Sequence, residues 1–136
     1  MEIREDRQKN VLIVDDDSSM RKILSQVVEM VGCESMAVEG ATRACQVIAQ
    51  AQVDAILLDL HMPGPHGDQF LSFLKSQNVA IPPTIVVSGH LDLDSIEPLI
   101  ELGVSRFIAK PFEVERLAEE LGRVLEGCGV DRDVSE

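Results

Sequence analysis

Short apolar segments alternate with amphipathic segments along most of this chain. Five apolar segments are predicted as β-strands: 11–14, 35–38, 55–58, 84–87 and 106–109. The segments 11–14, 55–58 and 84–87 are rich in β-branched residues and lack polar alternation. This composition is typical of strands that are buried on both faces of a parallel sheet.

The segments between the strands carry apolar residues at helical spacing. In 18–31 the apolar positions are 20, 23, 24, 27, 28 and 31, and in 113–126 they are 114, 117, 118, 121, 124 and 125. Each set forms one stripe of an amphipathic helix. Asp17 or Ser18 is suited to cap the first helix, and Gly32 to close it.

Three shorter helices are predicted at 41–51, 67–77 and 95–102. Before the last of these, Asp94 and Glu97 have the spacing of a capping box. Pro98 would then lie near the fourth helical position, where its missing N–H costs little.

The order is a strand followed by a helix, five times over. Such alternation predicts an α/β fold, a doubly wound parallel sheet with helices on both faces. A chain of 136 residues suffices for one such domain, which we place at 10–126. Residues 1–9 are then an N-terminal extension, and 127–136 a flexible C-terminal tail or linker stub.

Composition limits the classes of partner. Twelve basic against twenty-four acidic residues give a formal charge of −12, which repels nucleic acid and anionic lipid and favours cations or basic protein surfaces. The chain has four Phe and neither Trp nor Tyr, so stacking platforms for bases are not expected.

The sequence also predicts where the protein acts in the cell and the redox state of its cysteines. No apolar run approaches the ~20 residues of a membrane-spanning helix, and the charged N-terminus does not fit a signal peptide. We therefore expect a cytoplasmic protein without membrane insertion. Cys33, Cys45 and Cys128 are far apart in sequence, which predicts reduced thiols rather than a disulfide framework or a zinc site.

Chemically active side chains follow four of the five predicted strands. In an open parallel sheet, ligands bind beyond the carboxyl ends of the strands. The residues at these ends are Asp15, Asp16 and Asp17 after the first strand, Asp59 after the third, Ser88 after the fourth and Lys110 after the fifth.

This set of side chains suits phosphoryl transfer. Clustered carboxylates repel one another unless they share a cation, and hard oxygen ligands select Mg²⁺. An ammonium and a hydroxyl can neutralise and bind phosphoryl oxygens, and an aspartate can itself be the nucleophile. Asp17 fits a helix cap better than a metal ligand.

Five motifs in order resemble the receiver domain of bacterial two-component response regulators, from about Val11 to Leu125. VLIVDDDSSMRK carries the acidic pair of that family at Asp15 and Asp16. ILLDLHMPGPHG matches the phosphoacceptor segment, which places the acceptor at Asp59 with Met62, Pro63 and Gly67 in register. IVVSGH places the switch hydroxyl at Ser88, and FIAKPF places the conserved-type lysine at Lys110 and the switch aromatic at Phe107.

The resemblance implies a flavodoxin-like (βα)₅ fold with strand order 2-1-3-4-5. It implies Mg²⁺, with Mn²⁺ as a substitute, held by Asp16, Asp59 and the backbone carbonyl of His61, and by Asp15 through water. It also implies a cis peptide bond between Lys110 and Pro111.

The resemblance also implies a function. A sensor histidine kinase or a histidine phosphotransfer protein would pass a phosphoryl group to Asp59. Ser88 would move toward it, Phe107 would turn inward, and the face of helix four, strand five and helix five would bind a downstream target. Such a domain is not an enzyme in the ordinary sense, because it catalyses only its own phosphorylation and slow dephosphorylation. An output domain outside this sequence and a homodimer both stay open.

The chain departs from the family pattern at a few positions. The switch hydroxyl is Ser rather than the commoner Thr, Gly89 stands where Ala is usual, and Phe107 replaces Tyr. His61 and His90 occupy variable positions that, in the family, influence how water reaches the acyl phosphate. Each is equally compatible with a solvent-exposed loop residue.

Two other interpretations fit part of the sequence. Asp15 and Asp17, with Ser88 and Lys110, also fit three motifs of haloacid-dehalogenase-like phosphatases, in which Asp15 would be the nucleophile. That family needs a further acidic pair beside a strand, and this chain offers only Asp131 and Asp133 near its end. The other interpretation is a receiver fold that acts as an interaction module and is never phosphorylated.

Overall fold

The computed structural model describes residues 8–62, 64 and 66–130, with side chains up to residue 126. Strands and helices alternate as predicted. Their bounds are β1 Asn10–Val14, α1 Ser18–Met30, β2 Glu34–Val38, α2 Ala41–Gln50, β3 Ala55–Leu58, α3 Gly67–Ser76, β4 Thr84–Ser88, α4 Leu93–Glu101, β5 Arg106–Ala109 and α5 Val114–Val130.

The five strands form one parallel sheet in the order β2-β1-β3-β4-β5, which confirms the flavodoxin-like topology. β1 lies between β2 and β3 and pairs with both. The three apolar strands are buried on both faces, as their composition predicted.

Alternate side chains of the strands build two hydrophobic layers. Val11 and Ile13 face α1 and α5, whereas Leu12 and Val14 face α2, α3 and α4. Large aliphatic side chains with essentially no exposure dominate both layers. Each contributes about 1.5–3 kcal/mol on burial, so the sheet is a rigid support for the loops at its edge.

The start of α1 agrees with prediction, and the start of α4 does not. The Asp17 carboxylate accepts hydrogen bonds from the N–H groups of Ser19 and Met20, at 2.9 and 3.5 Å. For α4 the cap is Asp92 rather than Asp94, since the Asp92 carboxylate accepts from the N–H of Ser95 at 2.9 Å. The capping-box prediction was therefore wrong by two residues.

The earlier start of α4 changes the position of Pro98. It lies in the sixth helical position, inside the helix, so the carbonyl of Asp94 lacks the amide partner that any other residue would supply. Leu99 is the one buried side chain of α4, while Leu93 and Ile100 are 68 % and 53 % exposed. This helix therefore contributes a single fully buried side chain to the core.

The last helix is longer than the sequence pattern predicted. α5 continues to Val130, whereas the amphipathic stripe indicated an end at Glu126. Residues 127–130 are therefore helical rather than part of a tail. The remainder of the predicted tail, 131–136, and residues 1–7 of the predicted N-terminal extension lie outside the described part of the chain.

Two of the cysteines are described in full. Cys33 is buried, Cys45 is half-buried, and both are free thiols; the Cys128 side chain lies outside the described residues. Within the described ranges, no helix has both the length and the apolar character that crossing a bilayer requires.

Gly67, the first residue of α3, packs against the end of β3 and the residues after it, and we expect Gly67→Ala to destabilise the fold. A Cβ at this position would lie 2.9 Å from the Asp59 carbonyl oxygen and 3.0 Å from Leu60 Cδ2. Overpacking against backbone should lower the free energy of unfolding by about 1–3 kcal/mol, measured by urea denaturation. The control is Gly122→Ala in α5, where a Cβ meets nothing within 4 Å, and it should stabilise by about 0.5–1 kcal/mol. Equal stabilities for the two variants would contradict this explanation.

Candidate functional site

The sheet brings the predicted site residues to one edge by continuing its hydrogen bonds past the strand ends. The N–H of Asp15 donates to the Val38 carbonyl at 3.1 Å, and that of Asp59 donates to the Val14 carbonyl at 2.9 Å. The N–H of Lys110 donates to the Ser88 carbonyl at 2.9 Å. These bonds fix the backbone of Asp15, Asp59 and Lys110 relative to one another.

Three carboxylates and one ammonium meet at this edge. Asp15, Asp16 and Asp59 each have a carboxylate oxygen within 4.8 Å of the others. Lys110 Nζ lies 2.9 Å from Asp15 Oδ2 and 3.7 Å from Asp59 Oδ1. Asp15 and Asp59 are buried, with 1 % and 6 % exposure, whereas Asp16 is exposed. The cluster is therefore deep on one side and open to solvent on the other.

Backbone amides orient the two buried carboxylates. Asp15 Oδ1 accepts from the N–H of Asp17 at 2.9 Å, and Asp59 Oδ1 accepts from the N–H of His61 at 3.4 Å. The Asp17 carboxylate itself faces the start of α1, so it serves as the cap. No described contact tests the predicted role of the His61 carbonyl, and it stays a prediction.

Arg21 is a site neighbour that the sequence analysis missed. Its Nη1 donates to the Asp15 carbonyl at 2.8 Å and so supports the turn that holds Asp15 and Asp16. The available signal in the sequence was its position in the first turn of the predicted helix, one helical turn after the cap Asp17.

The surroundings of Asp59 shift the pKa of its carboxyl. Burial raises the pKa of its carboxyl, and the ammonium of Lys110 opposes this rise. The negative charges of Asp15 and Asp16 raise that pKa further, and the N–H of His61 lowers it. The net direction is upward, because one cation does not compensate both burial and two neighbouring carboxylates.

Ser88 and Phe107 lie on adjacent strands. Ser88 is fully buried at the end of β4, and its Oγ accepts from the N–H of His90 at 3.2 Å. Phe107 on β5 pairs with Val86, which shares a sheet face with Ser88 because residues two apart on a strand point the same way. The Phe107 ring is half-buried against the α2–α3–α4 layer.

The ligand atoms of the cluster fit a divalent cation. Three carboxylates with a single ammonium leave excess negative charge in a small volume, and all the donor atoms are oxygens. Mg²⁺ prefers one or two carboxylates and keeps several waters, which the open side next to Asp16 allows.

Sequence comparison assigns the chain to a family. The family model described as the response regulator receiver domain matches residues 11–122. The chain belongs to the response regulator receiver domain family. The match covers the five strands except Asn10, together with the first half of α5. The Lys110–Pro111 peptide bond is cis, as the resemblance implied.

Relatives share this receiver domain in proteins of different length. The chain is 32 % identical over 122 residues to the phosphate regulon transcriptional regulatory protein PhoB of Pseudomonas aeruginosa, covering 89 % of this chain and 53 % of PhoB. It is 27 % identical over 119 residues to sporulation initiation phosphotransferase F of Bacillus subtilis, covering 86 % and 94 % of the two chains. The chain spans about half or less of the length of most curated relatives it matches.

A solved structure supports the same fold. The chemotaxis protein CheY4 of Vibrio cholerae superimposes with a TM-score of 0.80 at 26 % identity, covering 88 % of this chain and 100 % of CheY4. The receiver match and the capping role of Asp17 both favour the receiver interpretation over the phosphatase one. Asp131 and Asp133 lie outside the described residues.

We expect Asp59→Asn to stabilise the domain at neutral pH in the absence of divalent cations. A raised carboxyl pKa means that the folded chain binds this proton more tightly than the unfolded chain. The free energy of unfolding therefore falls as the pH rises from the ordinary aspartate value, ~3.9, through the raised value. The Asp59→Asn variant has no carboxyl at this position, so its free energy of unfolding does not fall for this reason.

Urea unfolding in EDTA, followed by circular dichroism, measures the difference between Asp59→Asn and wild type. The gain in stability should be present at pH 7 and should shrink near pH 3, where the wild-type carboxyl is protonated in both states. A variant less stable than wild type at pH 7 would contradict the direction assigned to Asp59.

Proposed function

We propose that this chain accepts a phosphoryl group on Asp59 from a phosphohistidine and uses the resulting charge to alter a protein-binding face. The observation that carries the proposal is the position of Lys110 Nζ, which lies near both Asp15 and Asp59 inside a group of three carboxylates. Phosphoryl transfer depends mainly on positioning and charge neutralisation, and this arrangement supplies both.

In the transfer, a carboxylate oxygen of Asp59 attacks phosphorus and forms an O–P bond. The P–N bond to the donor imidazole breaks, and its electron pair returns to the nitrogen of the histidine. Lys110 needs only a small movement to bind a phosphoryl oxygen, because its ammonium already lies 3.7 Å from Asp59 Oδ1.

Mg²⁺, or Mn²⁺ in its place, would be held by Asp16, Asp59 and the His61 carbonyl, with Asp15 acting through water. When bound it neutralises charge on the acceptor and on the phosphoryl oxygens. Lys110 and Asp15 form a close ion pair at 2.9 Å, which keeps the ammonium beside the acceptor.

The switch would begin at Ser88. Its hydroxyl is buried and accepts a single described hydrogen bond, from the N–H of His90, so its proton is available to a phosphoryl oxygen. Movement of Ser88 leaves space on the sheet face that it shares with Val86, where the half-buried Phe107 ring can turn inward. The surface of α4, β5 and α5 then changes shape.

Partners follow from the family. The phosphoryl donor would be a sensor histidine kinase or a histidine phosphotransfer protein. The phosphorylated domain would then bind a downstream protein or an output domain outside this sequence. Direct contact with nucleic acid is disfavoured by the charge of −12. We place the receiver unit at 10–126, with 1–9 as an N-terminal extension, and its action in the cytoplasm. A homodimer through the same face is an open alternative.

Intact mass after treatment with acetyl phosphate and Mg²⁺ tests the acceptor. Wild type should gain one phosphoryl group, and Asp59→Asn should gain none. Asp16→Asn should be labelled more slowly, because the cation loses a ligand. The matched control is Asp92→Asn, because Asp92 is an exposed helix cap outside the cluster. This variant should gain the phosphoryl group at the same rate as wild type.

Two results would redirect the proposal. A mass gain that persists in Asp59→Asn and maps to Asp15 would favour phosphatase-like chemistry. An Asp59→Asn protein that signals like wild type in every assay would favour the interaction module.

Ser88→Ala should separate acceptance of the phosphoryl group from the switch. We expect the variant still to accept the group, because Asp59 and Lys110 are intact, but to lose most of the ¹H–¹⁵N chemical-shift change in α4, β5 and α5 that phosphorylation or a beryllofluoride mimic causes in wild type. Ser88→Thr keeps the hydroxyl and is the control that should retain the change. A full spectral change in Ser88→Ala would refute the role of this hydroxyl.

A further inference from the structure

All three histidines of the chain gather beside the phosphoacceptor loop. His61 lies in the loop after β3, His66 directly before α3, and His90 in the loop after β4. The ring centroids of His61 and His90 are 4.2 Å apart with an interplanar angle of 61°, and those of His61 and His66 are 5.9 Å apart. All three side chains are exposed.

The spacing of His61 and His90 is close to that of two imidazoles on one metal ion. With metal–nitrogen bonds of about 2.1 Å and tetrahedral angles, two ligating rings have centroids about 5.3 Å apart. The rings of His61 and His90 would have to move about 1.1 Å further apart. Rotation of the two exposed side chains allows this movement. His66 is more restricted, because its Nδ1 hydrogen-bonds the Leu60 carbonyl at 3.1 Å.

A carboxylate next to the pair supplies negative charge. Hydrogen bonds from Ser95 lower the pKa of the Asp92 carboxyl, so Asp92, two residues after His90 in the chain, is ionised at neutral pH. The chain as a whole carries a formal charge of −12 and attracts cations.

We propose that His61 and His90 bind one transition-metal ion of the borderline class, such as Ni²⁺, Cu²⁺ or Zn²⁺, with water in the other positions. Imidazole favours these ions over Mg²⁺, so this nitrogen site is distinct from the oxygen cluster. Among the described residues, only Asp15, Asp16 and Asp59 form a group of three ligand atoms mutually within 4.8 Å, so the histidine site uses two protein ligands.

The bound ion would join two loops that the phosphoacceptor site uses. The backbone N–H of His61 donates to Asp59, and that of His90 donates to Ser88. Binding of the ion itself does not require that Asp59 be phosphorylated, so failure of the proposed function leaves the metal site standing.

Isothermal titration of the full chain with Ni²⁺, in a large excess of Mg²⁺ that occupies the carboxylates, tests the site. We expect one Ni²⁺ per chain, with affinity reduced about tenfold or more in His61→Gln and in His90→Gln. Replacing the His61 side chain leaves its backbone carbonyl in place. Circular dichroism should show that both variants fold, since the side chains are exposed.

Three controls define the alternatives. His66→Gln, Asp16→Asn and Cys45→Ser should each change the Ni²⁺ affinity by less than about threefold. A loss in His66→Gln as large as that in His90→Gln would overturn the assignment to the pair. A loss confined to Asp16→Asn or to Cys45→Ser would place the ion at the carboxylates or at a thiol, and would refute the proposal.

Discussion

The interaction on which the site depends is the contact of one ammonium with two buried carboxylates. The Lys110 ammonium lies 2.9 Å from a carboxylate oxygen of Asp15 and 3.7 Å from one of Asp59, and both aspartates are almost fully buried. The contact joins the end of β5 to the ends of β1 and β3, so it also fixes the relative positions of three strand ends. Charge compensation is incomplete, because Asp16 adds a third negative charge. The repulsion among the three carboxylates is therefore only partly compensated, and a bound cation would reduce it.

The rigidity of the sheet makes this imbalance useful. Backbone hydrogen bonds hold Asp15, Asp59 and Lys110 at the sheet edge, so the carboxylates cannot simply move apart. Ser88 is held less completely, because its hydroxyl bonds only the His90 amide among its described contacts. In the proposed mechanism, a new charge at Asp59 would therefore act first on groups that the sheet restrains less, such as the Ser88 hydroxyl. Its effect would be to shift the population between two arrangements of the domain.

Much of this arrangement could be predicted from sequence, and the exceptions have physical causes. The strands were recognised because segments such as 11–14 are apolar on both faces, and the site because polar residues follow strands that end at one edge. The cap of α4 was missed because Asp92 and Asp94 are both good caps, and the spacing of Asp94 to Glu97 favoured Asp94, whereas the helix begins two residues earlier and Asp92 accepts from the N–H of Ser95. The end of α5 was missed because glycines at 127 and 129 indicated a break that the backbone does not make. The meeting of His61 with His90 could not be predicted, since loop conformation rather than periodicity brings their rings together.

The fourth helix has a consequence for the order in which the fold comes apart. Leu99 is its one buried side chain, and Pro98 cannot donate a backbone hydrogen bond within the helix. Local opening free energies are smallest where few apolar contacts and few backbone bonds must be broken. Amide protons of α4 should accordingly exchange with solvent long before those of β1 or β3. The segment that a signal would have to reshape is thus also one that the core holds through a single buried side chain.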